Sequence, residues 1–175
     1  MNLATVCLGI LLSGQKTGYQ IQTTINTSMA HFHHASLGAI YPALGNLEAR
    51  DFVTASLRPR KGLSKRLYQI TPAGRNYFES QMHSTSAAEW FRSEFLTAFY
   101  FAGHLNNDDV SRLIDDRLSA HRRERQSLLA LPISSLSEGQ RFTVRYVLAL
   151  KSAAIDFLKG EGRAIETAIH RQQID

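Results

Sequence analysis

Cysteine is almost absent: Cys7 is the single one in 175 residues, which excludes an internal disulfide framework and suits a reducing compartment. It lies in the apolar run at 6–12, so a buried, unreactive thiol is its expected state. Long hydrophobic runs are absent too, and nothing approaches the ~20 apolar residues of a membrane span. The run at 6–12 has no Lys or Arg before it and no A-x-A-like cleavage site after it, so it does not read as a secretory signal. The expectation is a cytoplasmic protein with no membrane partner. Catalytic signatures are likewise missing: there is no nucleophile elbow, phosphate-binding glycine loop or metal-protease helix. Asp115 and Asp116 lie on a helix among Arg112, Arg117 and Arg122, where ion pairs along the helix explain them better than acid–base chemistry. His31, His33 and His34 lack a nearby Asp, Glu or Cys, and three histidines within four residues rarely converge on one ion unaided. No enzyme, cofactor or metal site is expected.

Acidic charge is what the first half lacks. Residues 1–82 carry eight Lys/Arg against three acids (Glu48, Asp51, Glu79), while the remaining twelve Lys/Arg face twelve Asp/Glu. The whole net charge of +5 therefore belongs to the first half. Five cations, Arg58, Arg60, Lys61, Lys65 and Arg66, fall within nine residues with no acid among them. A basic patch confined to one small domain is the electrostatic footprint of a polyanion binder, although charge alone also fits a solvated loop.

Periodicity divides the chain the same way. A first helix reads over 3–13. A second follows Thr17 as N-cap, with Tyr19, Ile21 and Ile25 apolar, and a third follows Ser36 to about Arg50. In the third, Leu37, Ile40, Leu44 and Leu47 line one face. The period then changes: 52–58 and 66–70 are short, β-branched and aromatic segments around a Gly-containing basic tip, a hairpin. Thr71-Pro72 opens a fourth helix, Thr71 as N-cap and Pro72 in its first position. This is the order of a winged helix-turn-helix, placed at 1–82. Three further helices are expected in 83–175, over about 87–103, 108–131 and 138–172, the last fraying near Gly160 and Gly162. The expected fold is mainly α: a winged helix-turn-helix with a small β-hairpin wing, followed by a three-helix dimerisation domain.

Three segments of the first half carry a resemblance. Gly18-Tyr19-Gln20-Ile21, then Ala35-Ser36-Leu37-Gly38-Ala39-Ile40-Tyr41-Pro42-Ala43-Leu44, then Leu67-Tyr68-Gln69-Ile70-Thr71-Pro72-Ala73-Gly74-Arg75 resemble, in order and spacing, the PadR family of transcriptional regulators. The second half is similar, by length and helix pattern, to the AphA-like branch of that family. The resemblance implies gene regulation, dimerisation through the C-terminal helices, and DNA contact by the third helix and the wing. It also implies that the third helix starts near Ser36 and tolerates Pro42, where propensity alone would start it at Tyr41. Two departures stand out. The tip is shorter and more basic than in many members, and His33 and His34 replace an aromatic and a basic residue, leaving the charge at His34 dependent on pH.

The residues expected at duplex DNA follow from these placements. Ala39, Pro42, Ala43 and Asn46 lie opposite the core stripe of the third helix; small residues there let it sit close in a major groove about 12 Å wide. Asn46 can pair bidentately with adenine, and a helix surface of Asn and Ala equally needs no partner. Tyr41 lies at the edge of the stripe, and the resemblance favours its hydroxyl on a phosphate over simple core filling. Arg60, Lys61, Lys65 and Arg66, with no acids to neutralise them, suit phosphates or a minor groove; His34 and Ser36 complete the set.

The last helix carries two apolar stripes. One is Val144, Val147, Leu148, Ile155 and Leu158; the other is Phe142, Tyr146, Leu150, Ala153 and Phe157. Such a helix must be covered on both sides, so a homodimer is expected, with Val144, Val147, Leu148, Leu150, Ile155 and Phe157 as dimerisation residues. Two other functions remain open. One is a protein-interaction adaptor; the other is a repressor responding to a small aromatic effector held by Trp90, Phe91, Phe95, Phe99, Tyr100 and Phe101.

Overall fold

A computed structural model describes residues 1–30, 32–58, 65–86 and 93–172, with side chains to 169. The chain forms two compact units, Met1–Glu89 and Trp90–Asp175.

The first unit is built on well-capped helices. Helix α1 (Leu3–Leu11) starts at Asn2, whose side chain accepts from the Thr5 amide. A two-residue strand β1 (Lys16–Thr17) follows, and Thr17 also caps α2 (Gly18–Ser28) in a reciprocal box with Gln20. Ser36 caps α3 (Leu37–Ala49) by accepting from the Ala39 amide, and Pro42 lies inside that helix, as the family resemblance implied. The missing N–H of Pro42 leaves the Gly38 carbonyl without its helical donor; both residues are exposed, so water can reach the freed group.

Helix α3 ends in a Schellman arrangement. Phe52 N donates to Leu47 O and Asp51 N to Glu48 O, while Asp51 takes the left-handed conformation (φ 56°) usually given to glycine. Strands β2 (Val53–Arg58) and β3 (Lys65–Ile70) pair antiparallel from Val53↔Ile70 to Arg58↔Lys65. Strand β1 adds to the other edge of β3, giving the order β1-β3-β2. A two-residue strand has too little pattern to be read from sequence. Helix α4 (Pro72–His83) begins at Thr71, whose hydroxyl accepts from Gly74 N and donates to Asp51 O.

The core of this unit gathers Val6, Cys7, Leu8 and Leu11 of α1, Ile21 and Ile25 of α2, Ile40, Leu44 and Leu47 of α3, and Val53, Tyr68 and Ile70 of the sheet. Burial pushes the Cys7 thiol up to about 11, so it stays protonated and unreactive. Tyr19, expected among the apolar positions of α2, is instead exposed beside the buried Ile21.

The second unit holds α5 (Glu94–Tyr100), α6 (Asn107–Leu129) and α7 (Glu138–Gln172). Its seam is antiparallel: Val110 and Ile114 share a cluster with Ile169, Leu118 with Ile155 and Leu158, and Leu128 with Val144 and Val147. Helix α7 runs unbroken through Gly160 and Gly162, where fraying was expected. Gly162 is buried, and a Cβ there would lie in van der Waals contact with Ile114 and Leu158, so the helix continues as part of the packed seam. Asp115 pairs with Arg163 of α7, not with the arginines of its own helix. The outward face of α7 is apolar, as described below.

Candidate nucleic-acid interface

The turn between α2 and α3 is set by Asn26. Its side-chain amide donates to Ala35 O (3.2 Å) and its side-chain oxygen accepts from Ala35 N (3.3 Å), nine residues away. This clamp fixes the chain just before Ser36. His34 is exposed there, whereas His33 is half-buried. Burial lowers the His33 pKa, helped by the nearby Met1 ammonium and His34. His31 lies outside the described residues.

Helix α3 buries Ile40, Leu44 and Leu47 and turns Ala39, Pro42 and Asn46 outward, with Ala43 half-buried at the margin. Its exposed face is thus built of small residues, with Asn46 as its polar side chain. Tyr41 stands at the edge with 47% exposure, and its ring lies over Gly18. A Cβ at position 18 would come 2.8 Å from that ring, which explains why glycine opens α2 beside it. Gly18 and Asn26 both position expected DNA contacts, and neither was singled out from sequence as a functional residue.

The hairpin meets α3 on the flank that carries Tyr41 and Glu48. Arg58 and Lys65 are exposed and opposite one another in the register, at the end of the described ladder. Arg60 and Lys61, both expected at DNA, lie outside the described residues. The expectation that no acid neutralises the hairpin cations fails at Arg66. Its guanidinium is 2.5 Å from the Glu48 carboxylate and 5.6 Å from the Tyr68 ring centroid. Glu48 is 18 residues earlier, so sequence adjacency could not reveal it. Arg50, at the end of α3, is taken up by the stacked rings of Phe52 and Tyr77, 4.6 and 4.9 Å from their centroids.

In the second unit the two stripes of α7 separate. Val144, Val147 and Ile155 are buried against the chain's own α6, and Leu148 is half-buried beside them. Phe142, Tyr146, Leu150 and Phe157 are 48–66% exposed along the opposite stripe, with Ala153 also exposed. Of the six expected dimerisation residues, only Leu150 and Phe157 are left on the outward stripe. The aromatic group is divided as well: Phe95 and Phe99 pack inward, while Tyr100 and Phe101 are exposed. Trp90 and Phe91 lie outside the described residues.

Comparison with known proteins meets this geometry. Residues 7–80 match the family model described as "Transcriptional regulator PadR-like family". The "Negative transcriptional regulator PadR" of Bacillus subtilis (strain 168) is 28% identical over 114 residues, 63% of this chain, and the match spans 62% of that regulator's length. The crystal structure of smu.1604c from Streptococcus mutans UA159 is similar at TM-score 0.84 and 28% identity, over 92% of this chain and 98% of that one. Two more distant structures speak for the fold alone. Bacillus subtilis PadR in complex with operator DNA has TM-score 0.79 at 22% identity, over 95% of this chain and 98% of that one. The Vibrio cholerae virulence activator AphA has TM-score 0.67 at 23% identity, over 96% and 99%. The first unit thus matches the PadR-like family model over residues 7–80, and nearly the whole chain shares the fold of smu.1604c.

Proposed function

We propose that this protein binds duplex operator DNA as a homodimer and regulates transcription in the cytoplasm, with α3 in the major groove and the hairpin on the backbone or minor groove. One observation carries the reading: the outward face of α3 is built of small residues (Ala39, Pro42) with the polar Asn46, in the same unit as the exposed hairpin cations Arg58 and Lys65. Small residues permit close approach to base edges, Asn46 can read adenine, and cations supply phosphate attraction. Tyr41, Ser36, His34 and Lys65 are the further described residues assigned to DNA, and Arg60 and Lys61 join them from the sequence between the two strands. An adaptor would want large apolar side chains on its recognition face, and positions 39, 42 and 46 of α3 carry none. The Bacillus subtilis relative has been crystallised with operator DNA, which supports the same use here.

The homodimer rests on the outward stripe of α7. Four large apolar side chains at helical spacing are costly to leave in water, and a symmetric partner offers the same stripe to cover them. A second reading adds control by a small aromatic effector, since the same relative has also been crystallised with p-coumaric acid. Exposed Tyr100 and Phe101 and half-buried Phe95 and Phe99 are the described aromatics on which it draws.

Titrating duplex binding between about 50 and 200 mM salt tests the central reading. A dimer that neutralises about six to ten phosphates should lose about 10³–10⁵ in affinity over that range. A flat response removes the DNA-binding assignment of the hairpin.

A further inference from the structure

We infer that Glu48 is a specificity-determining residue that withholds the Arg66 cation from the DNA backbone. The inference rests on the DNA-binding reading above and concerns one residue on the flank of α3. Glu48 lies on the same side of the helix as Tyr41, away from the outward face of Ala39, Pro42 and Asn46. Its carboxylate accepts from Arg66 Nη2 at 2.5 Å, and the guanidinium is also close to the Tyr68 ring, whose residue is part of the core. Arg66 is therefore held on two sides, between the recognition helix and the sheet.

The pair does little for the fold, because its side chains keep 52% and 33% of their exposure and water screens them. Its consequence lies in electrostatics toward a polyanion. If Arg66 turned to a phosphate, Glu48 would be left as an unpaired negative charge beside the same backbone. Like charges so placed repel, so Arg66 stays with Glu48 while Arg58 and Lys65 are left for phosphates. Among the described residues neither of those two forms an ion pair.

Withholding a cation matters unequally for different duplexes. Phosphate attraction supplies nearly all of non-specific binding but only a share of specific binding. A freed Arg66 finds a phosphate on any duplex that binds loosely, whereas in a complex registered by α3 its position is already set. The Glu48–Arg66 pair also ties the hairpin to α3, so the wing follows the helix that reads the bases. Glu48 thus lowers binding to arbitrary sequence more than binding to the operator.

The test uses the full chain, a random-sequence duplex, and a duplex enriched from a random pool by the wild-type protein. Glu48→Gln keeps the side-chain shape and removes the charge. Its binding to the random duplex should rise about tenfold for the dimer, with the log–log salt slope steeper by about 0.9 per protomer. The ratio of selected to random affinity should fall. Adding Arg66→Ala should remove the increment in slope, because the gain comes from that cation. Circular dichroism and thermal unfolding check that each variant is folded. An unchanged slope or an unchanged ratio in Glu48→Gln overturns the inference, as does an increment that survives Arg66→Ala. If the wild type itself shows no salt-dependent duplex binding, it is the DNA-binding reading that fails.

Discussion

At Gly74 one hydrogen atom decides whether the first unit can close. A Cβ there would lie 2.0 Å from the Phe52 carbonyl oxygen, a backbone atom fixed by the turn out of α3 and by its bond from Thr71 N. Gly74→Ala is expected to destabilise this unit by at least about 1–3 kcal/mol, read by thermal unfolding. Gly18 is crowded differently, since its neighbour is the movable ring of Tyr41. Gly18→Ala should leave the fold intact but displace Tyr41, lowering duplex affinity about as much as Tyr41→Phe. Normal affinity in both variants would show that the Tyr41 hydroxyl makes no contact. Around Gly74, the signal legible in the sequence was the strand-turn-helix at Thr71-Pro72. The need for glycine at 18 and 74 depends on what folds over them, which a local pattern does not contain.

At the scale of elements, α3 and the hairpin should fail in different ways. Asn46→Ala is expected to reduce discrimination by about 1–3 kcal/mol at a single base position. Lys65→Ala should weaken binding to all duplexes alike, because phosphate contacts carry no sequence information. If the preferred sequence survives Asn46→Ala, the register of α3 on DNA is wrong.

Helices α6 and α7 enclose a polar group that the sequence reading passed over. His121 is buried, its Nδ1 3.7 Å from the Glu124 carboxylate, too far for a hydrogen bond, while Lys151 sits 2.5 Å from that same oxygen. Burial first, then Arg117 and Lys151, lower the His121 pKa below its ordinary 6.5, and Glu124 opposes them. A depressed folded pKa means that the unfolded chain takes up the proton first. Stability of this unit is thus full above pH 6.5 and is lost as pH falls toward the lower folded value. Glu124, also lowered, adds a second loss below its ordinary 4.5. Denaturant unfolding at pH 7.5 and about pH 5.5 should show the first loss, and His121→Gln should flatten it; no change between the two pH values would contradict the assignment.

Element identity was readable wherever a cap, a period or a turn signal is local, as at Thr17, Ser36 and the hairpin flanks. Strand β1, the Glu48–Arg66 pair and the continuity of α7 were not, because each is decided by residues distant in sequence.

The whole molecule depends on what covers the outward stripe of α7. Leu148 and Leu150 are two residues apart and differ in burial, so they separate the roles. Leu148→Glu should destabilise the helical unit, because it places a charge against the chain's own core. Leu150→Glu should give a folded protein that dissociates and binds duplex DNA much more weakly. Sedimentation and thermal unfolding distinguish the outcomes, and a dimer that tolerates Leu150→Glu would move the interface elsewhere. A symmetric dimer also presents two copies of α3, so the sequence it prefers should itself be symmetric. Selecting duplexes from a random pool with the wild-type protein reads groove recognition and symmetry together. The expected result is enrichment of an inverted repeat with half-site centres about 34 Å, or a multiple of that, apart; a pool that stays random after repeated selection would contradict a sequence-specific, dimeric regulator.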